Sequence, residues 1–348
     1  MYLACIALIS VCAYVFSKSN VKKGNLWFLI FSGTVLFFYA ALRNRLVGID
    51  IDGYLKSYNK YQKYSFNEII SIYDIDGQKD PTYYFLGWLF SRLFSNGQWW
   101  LAFIAGMYLS SVMIVLYKES VNPFISLLAF LSLGFFTFSL SGLRQTLAMS
   151  LTGLSYFGIK RKKPIVFVIF VLLGSLFHST ALIFLIAYPM ARWKLGTPHI
   201  ISFVISIILF VSFQSTIRGW ITRYTGFEHI SNYGDSEKAA TFSGFIIQLA
   251  IFVFALVYYQ NVRKKYKHAD ILYNLSFIGL VFQLFSSMIA EFFRISMYFS
   301  FFNVILIPLT ISVEPNKKIS LLETLLITVV LVAYIFVSGV PQYSFFWQ

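Results

Sequence analysis

The sequence predicts an all-α, polytopic integral membrane protein with about 12 transmembrane crossings, some short or re-entrant, and an amphipathic segment at the outer face. Three observations carry this. Of 348 residues, 58% are hydrophobic and only 12% charged, where soluble domains carry about a quarter charged residues. Apolar runs of roughly 15–20 residues recur along the chain, close to the length a helix needs to cross a bilayer. Basic clusters punctuate those runs, as they do in loops kept on the cytoplasmic side. The mean hydropathy of +0.71 agrees. In such a chain the net charge of +14 reports orientation and does not point to nucleic acid.

The first apolar run covers residues 2–17 and the second 26–42. Lys18, Lys22 and Lys23 lie between them and mark a cytoplasmic loop, so the first run reads as a retained span with its N-terminus outside. Cys5 and Cys12 sit on that run and read as small helix residues, not a disulfide framework. Residues 43–81 are too polar to cross and form an outer-face loop. Within it, Tyr54, Tyr58, Tyr61 and Tyr64 recur at helical spacing with lysines between, a pattern expected of a helix in the interface. The short run 83–94 reads as re-entrant or interfacial, because counting it as a span would put one basic loop outside.

Runs at 99–117, 123–140 and 143–159 lead to Lys160-Arg-Lys-Lys163, a second cytoplasmic marker. Runs 164–177 and 180–191 form a short pair with His178 at its outer turn. Run 200–217 goes out to a second outer loop at 218–240, and 241–260 returns to the basic stretch Arg263–His268. Runs 271–290, 295–311 and 320–337 complete the count. No soluble domain, linker or repeat interrupts residues 1–348, which read as one transmembrane domain. This orientation gathers Arg43, Arg45, Asp50, Asp52, Arg144, His178, Glu291 and Arg294 near one face.

Several of these invite chemistry. Arg144 lies in Ser139-Leu-Ser-Gly-Leu-Arg-Gln145, between two spans with no loop to speak of. A charge buried there is costly unless paired, and its planar fork of donors suits phosphate oxygens. Snorkelling to the interface is the simpler reading of any such arginine, but Gln145 and the Ser-Gly break make a polar site. His178 stands inside an apolar run. It is either a packing residue or a general base for a hydroxyl. Glu291 and Arg294, one helical turn apart, either pair with each other or join that site. Asp50-Ile-Asp52 and Asp74-Ile-Asp76 have the D-x-D form of metal-dependent nucleotide-sugar transferases. They lie on the wrong face for a cytoplasmic nucleotide, so no metal site is expected. Asp50 is expected to partner an outer-face arginine.

Three segments together resemble one family. Arg43 with Val47-Gly-Ile-Asp50 and Tyr54, Gly142-Leu-Arg-Gln-Thr-Leu-Ala148, and Phe177-His-Ser-Thr-Ala-Leu182 are similar in order and spacing to the signatures of the EpsG family, with the small-residue spacing of the third slightly shifted. The resemblance implies a Wzy-type polymerase of exopolysaccharide or capsule repeat units in the bacterial cytoplasmic membrane. Such a protein uses no cofactor and acts on undecaprenyl-pyrophosphate-linked oligosaccharides at the outer face, among membrane lipid and beside the flippase and chain-length regulator of its pathway. Arg43, Arg45, Arg144, Gln145 and Arg294 are then expected to hold pyrophosphate. His178, Asp50 or Glu291 is expected to act as base, and Tyr54 and Tyr58 to stack on sugars. The rival readings are a glycan ligase using another acceptor, a lipid-oligosaccharide flippase, and a membrane acyltransferase.

Overall fold

A computed structural model describes residues 2–18, 23–75, 80–212, 242–289, 291–339 and 342–348. The expected outer loop at 218–240 lies outside these residues. The described chain is helical throughout, with one isolated antiparallel bridge between Arg43 and Phe345 and no strand. It divides into two compact units, residues 1–185 with 316–348, and residues 186–315.

Among the described residues, three helices are long and apolar enough to span a bilayer, Gly24–Ala41, Gln98–Glu119 and Lys317–Ser338. Two bent pairs raise the number to five if each is one span. Ser243–Val257 with Tyr259–Lys265 bends by 64°, and Glu291–Ser300 with Asn303–Ile311 by 44°. The other apolar helices run 10–17 residues. Lys317–Ser338 has the surface of a lipid-facing helix, with only 11% of its span window buried and Leu322 and Val329 about two-thirds exposed. Such a face is stable only in an apolar solvent.

In the first unit, α1 (Tyr2–Lys18) packs on α2 (Gly24–Ala41), and α2 packs on α6 (Gln98–Glu119). Next to α6 lies α9 (Leu143–Lys160), and against α9 packs α10 (Pro164–Ser175). Two contacts fix the polarity of this bundle. Gln98 at the start of α6 donates to the carbonyl oxygens of Ala41 and Arg43 just past α2. At the far end Lys160 Nζ sits 2.7 Å from Glu119 Oε2, and the Tyr156 hydroxyl donates to the same oxygen. The end of α2 and the starts of α6 and α9 therefore share one end of the bundle. The basic turn Lys160–Lys163 lies at the other.

The α9–α10 hairpin is held close by small residues. A Cβ on Gly158 would lie 2.7 Å from the Phe167 backbone nitrogen, and one on Gly174 would lie 3.2 Å from the Ala148 carbonyl. Close backbone approach of this kind is how helices associate without a hydrophobic drive between them. The hairpin returns the chain to the end where α9 began. Beyond α10, Ser179–Ile186 is a 3-10 helix and not the α-helical run expected.

The segment 43–81 also differs in its packing from a lone interfacial helix. Its α3 (Ile51–Tyr61) and α4 (Phe66–Ile75) lie against α5 (Pro81–Leu93). The inward face of α3 is aromatic. Tyr58 stacks on Trp100, and Tyr61 meets Tyr84 edge-on at 5.9 Å. Tyr58 and Trp100 join Ile51, Tyr83, Leu101, Ile104, Leu143 and Leu147 in one buried cluster, with Tyr54, Tyr84 and Phe177 packed around it. At 13 residues, α5 spans only about 20 Å at ~1.5 Å per residue, short of the hydrocarbon core.

Candidate active site

The site begins where two of the sequence motifs dock on each other. Gly48 has φ +108, and a Cβ there would lie 2.2 Å from the Leu140 carbonyl oxygen. Only glycine allows both that backbone and that approach. One residue on, the Ile49 N–H donates to Ser141 Oγ at 3.2 Å. The Val47-Gly-Ile-Asp50 turn thus lies against the Ser139–Gly142 break, and that break starts α9. Leu143 and Leu147 anchor the first turns of α9 in the buried cluster. Arg144 is held between them at the bundle end.

Asp80 meets it from α5. It immediately precedes Pro81 in a left-handed conformation, φ 68. A residue before proline is normally driven to extended backbone, so the surroundings hold this one in place. Its carboxylate does not cap its own helix but reaches across. Asp80 Oδ2 accepts from Arg144 Nη1 at 3.1 Å and contacts His178 Nδ1 at 2.9 Å. Asp80 Oδ1 accepts from the Ser179 N–H at 3.0 Å. The Asp80 side chain is 2% exposed, His178 14% and Arg144 28%. The carboxylate is the buried hub, and the two nitrogen groups face outward from it.

The electrostatics follow from those partners. Burial alone raises the Asp80 carboxyl. The hydrogen bond and charge of His178, the Ser179 N–H and the Arg144 charge outweigh it and hold the group below its ordinary value. An ionised Asp80 can only accept, so in the neutral imidazole Nδ1 carries the proton and Nε2 is the free ring nitrogen. A carboxylate–imidazole pair of this kind fixes the tautomer and ring orientation and leaves the far nitrogen to take a proton. The Arg144 guanidinium carbon lies 6.0 Å from the Tyr84 ring centre, and Tyr54 is both its hydrogen-bond partner and, with Tyr84, its electrostatic neighbour. The arrangement can bind an anion and deprotonate a hydroxyl beside it.

The profile of the EpsG family matches residues 26–347, nearly the whole chain. The chain belongs to the EpsG family. No curated protein and no solved structure gives a match. Membership ties this EpsG-family protein to polysaccharide synthesis, and its apolar helices make it a membrane protein.

The other expected site residues of this EpsG-family chain fall in several places. Arg43 is buried at 1% exposure and donates from Nη1 to the Ala40 carbonyl at the end of α2. Its Nε and Nη2 have no hydrogen-bond partner among the described residues. Burial pulls this guanidinium down to about 10, opposed by electrostatic coupling to Tyr343 and Tyr83, so it stays charged at neutral pH. Tyr83 lies in electrostatic reach of both Arg43 and Arg144. Beside Arg43 runs the segment 342–348. Asn44 N–H donates to the Ser344 carbonyl at 2.9 Å and Phe346 N–H to the Leu42 carbonyl at 2.9 Å. Asn44 Nδ2 donates to the Phe345 carbonyl, and the Tyr343 hydroxyl to the Tyr39 carbonyl. These four bonds, each worth about 1 kcal/mol net, and the Tyr343 ring 4.2 Å from that of Tyr39 attach the segment.

Arg45 is exposed and lies 3.8 Å from Asp52, which also pairs with Lys56 at 2.5 Å. That is a solvated surface network. Asp50 is exposed and forms no ion pair among the described residues. The acidic partner of Arg144 is Asp80 in its place. Gln145 is buried at 2%. Tyr54 is half-buried against Tyr83 at 5.6 Å. Tyr58 is fully buried with its hydroxyl on the Phe94 carbonyl, which makes it a packing residue and leaves it no sugar-facing surface. Glu291 and Arg294 start Glu291–Ser300 in the second unit, the first half-buried and the second exposed. Asp80 is the residue that the sequence motifs passed over. Its signal is the Asp80-Pro81 step at the head of a short apolar run, where an acidic residue also reads as an ordinary helix start.

Proposed function

We propose that this protein is a Wzy-type polysaccharide polymerase. It transfers a growing glycan from undecaprenyl pyrophosphate to a sugar hydroxyl of another lipid-linked repeat unit. The observation that carries the reading is the Asp80 carboxylate held jointly by Arg144 and His178, which joins an anion clamp to an oriented base. His178 Nε2 takes the proton of the acceptor hydroxyl. The freed oxygen attacks the anomeric carbon of the donor, and the bond from that carbon to the pyrophosphate oxygen breaks. The leaving pyrophosphate gains the negative charge, and Arg144 stabilises it as it develops. Asp80 keeps Nδ1 protonated and balances the imidazolium as it forms. The half-buried rings of Tyr54 and Tyr84 offer faces for the sugar beside the reacting bond.

The bundle polarity supports an outer-face location in the bacterial cytoplasmic membrane. Arg144 and His178 share one end of the first unit, and the basic turn Lys160–Lys163 occupies the end that the positive-inside rule assigns to the cytoplasm. On that topology the short helices count among about 12 crossings. All the residues invoked belong to the first unit. The test is elongation of defined lipid-linked repeat units by the purified protein in nanodiscs. A ladder of repeat lengths from the wild type and none from Arg144→Ala supports the assignment. A single transfer to a different acceptor, or an unchanged ladder from Arg144→Ala, overturns it.

A further inference from the structure

Arg43 takes no part in the Asp80 cluster, yet it keeps a positive charge at 1% exposure. A buried cation without a counter-ion is costly, and it persists where an anion is to be received. Its Nη1 rests on a helix-end carbonyl, which favours a cation there, but Nε and Nη2 have no hydrogen-bond partner among the described residues. Two adjacent donors of a guanidinium form the fork that takes two phosphate oxygens at once. Beside Arg43 runs the segment 342–348, attached through the bridge of Arg43 with Phe345 and the bonds of Tyr343 and Asn44. Gly339, at the end of Lys317–Ser338, has φ +89, a backbone that favours glycine. The segment carries Phe346 and Trp347, 43% and 60% exposed. Such rings favour the membrane interface, where a lifted strap can settle.

We propose that Arg43 is a second phosphate-binding site, closed in the free protein by the 342–348 strap and opened when a pyrophosphate displaces it. Tyr83 is electrostatically coupled to both Arg43 and Arg144. The strap admits the phosphates of a lipid-linked substrate to Arg43 while Arg144 holds its own. That the phosphate belongs to a glycan donor rests on the polymerase reading. The strap and its anion do not.

The experiment uses the full chain in phosphatidylcholine nanodiscs, with Cys5 and Cys12 replaced by serine. In Ser344→Cys, maleimide labelling is followed with and without inorganic pyrophosphate. Labelling several-fold faster with pyrophosphate, and insensitive to it once Arg43→Gln is added, is the expected result. Unchanged or slowed labelling overturns the site. Acceleration by phosphatidylglycerol equal to that by pyrophosphate overturns the donor assignment in favour of a lipid headgroup. The second arm locks the strap with an Asn44→Cys/Ser344→Cys disulfide. At least tenfold slower elongation when oxidised, restored by reductant, is expected. Equal rates in both states overturn the gate. If no form elongates but pyrophosphate still speeds labelling through Arg43, the anion site stands and the polymerase reading fails.

Discussion

Asp80 Oδ2 lies 2.9 Å from His178 Nδ1 and 3.1 Å from Arg144 Nη1, so one buried oxygen positions both the base and the clamp. Three segments far apart in sequence converge on it, from the head of α5, the first turn of α9 and the turn after α10. Asp80→Asn keeps the shape but replaces an acceptor-only group with one that can donate. The ring then loses its reason to keep the proton on Nδ1, and Nε2 ceases to be the free nitrogen. Elongation is expected to fall by roughly a hundredfold or more, as when an orienting carboxylate is neutralised elsewhere. Thermal unfolding should shift far less than the rate. Near-normal elongation by Asp80→Asn would remove Asp80 from the mechanism.

The same contact fixes a pH dependence. The Asp80 carboxyl is held below its ordinary value in the folded protein. Its contribution to stability is therefore present above the unfolded value of about 3.9, and is lost as pH falls through the lower, folded value. The stability gap between wild type and Asp80→Asn should stay constant from about pH 8 to pH 5 and close below about pH 4. Thermal melts of the detergent-solubilised proteins across that range measure it. A gap that closes between pH 6 and 8 would mean that another group carries the effect.

Arg144 tests whether charge or geometry matters. Lysine keeps the charge but loses the fork, so it cannot hold Asp80 and bridge phosphate oxygens together. Arg144→Lys should therefore retain membrane insertion while losing about 10²–10³ in elongation rate, the scale of removing one preorganised anion donor. A rate within about twofold of wild type would leave a point charge as the whole of its role.

Much of the fold and part of the site are legible in the sequence, for physical reasons. The helical membrane class follows from composition, because hydrophobicity of this degree has no stable alternative. Arg144 and His178 stand out because a charge or an imidazole inside an apolar run is costly. Gly48 is readable as a turn, and its φ of +108 and the approach of Leu140 explain it. Asp80 is hidden, because a carboxylate before Pro81 looks like a helix start until the fold brings α9 and α10 to it. The burial of Tyr58 is hidden for a related reason. A row of tyrosines at helical spacing fits an interface or a core equally well, and only the partner helices α5 and α6 decide.

Tyr54 and Tyr58 lie one turn apart on α3 and should part company on substitution. Tyr58→Phe removes a hydroxyl that donates to the Phe94 carbonyl at 2.6 Å inside the packing. The expected cost is about 1 kcal/mol of stability with elongation unchanged. Tyr54 is half-buried beside Arg144, and its ring meets Tyr83 edge-on. Tyr54→Ala removes the ring itself, and a stacked sugar would lose about 1–3 kcal/mol of binding if the stacking equals that measured for other ring platforms. The acceptor KM should then rise roughly tenfold or more, since about 1.4 kcal/mol is a factor of ten. Steady-state kinetics with a soluble acceptor analogue separates the two variants. A raised KM in Tyr58→Phe with a normal one in Tyr54→Ala would reverse which tyrosine faces the sugar.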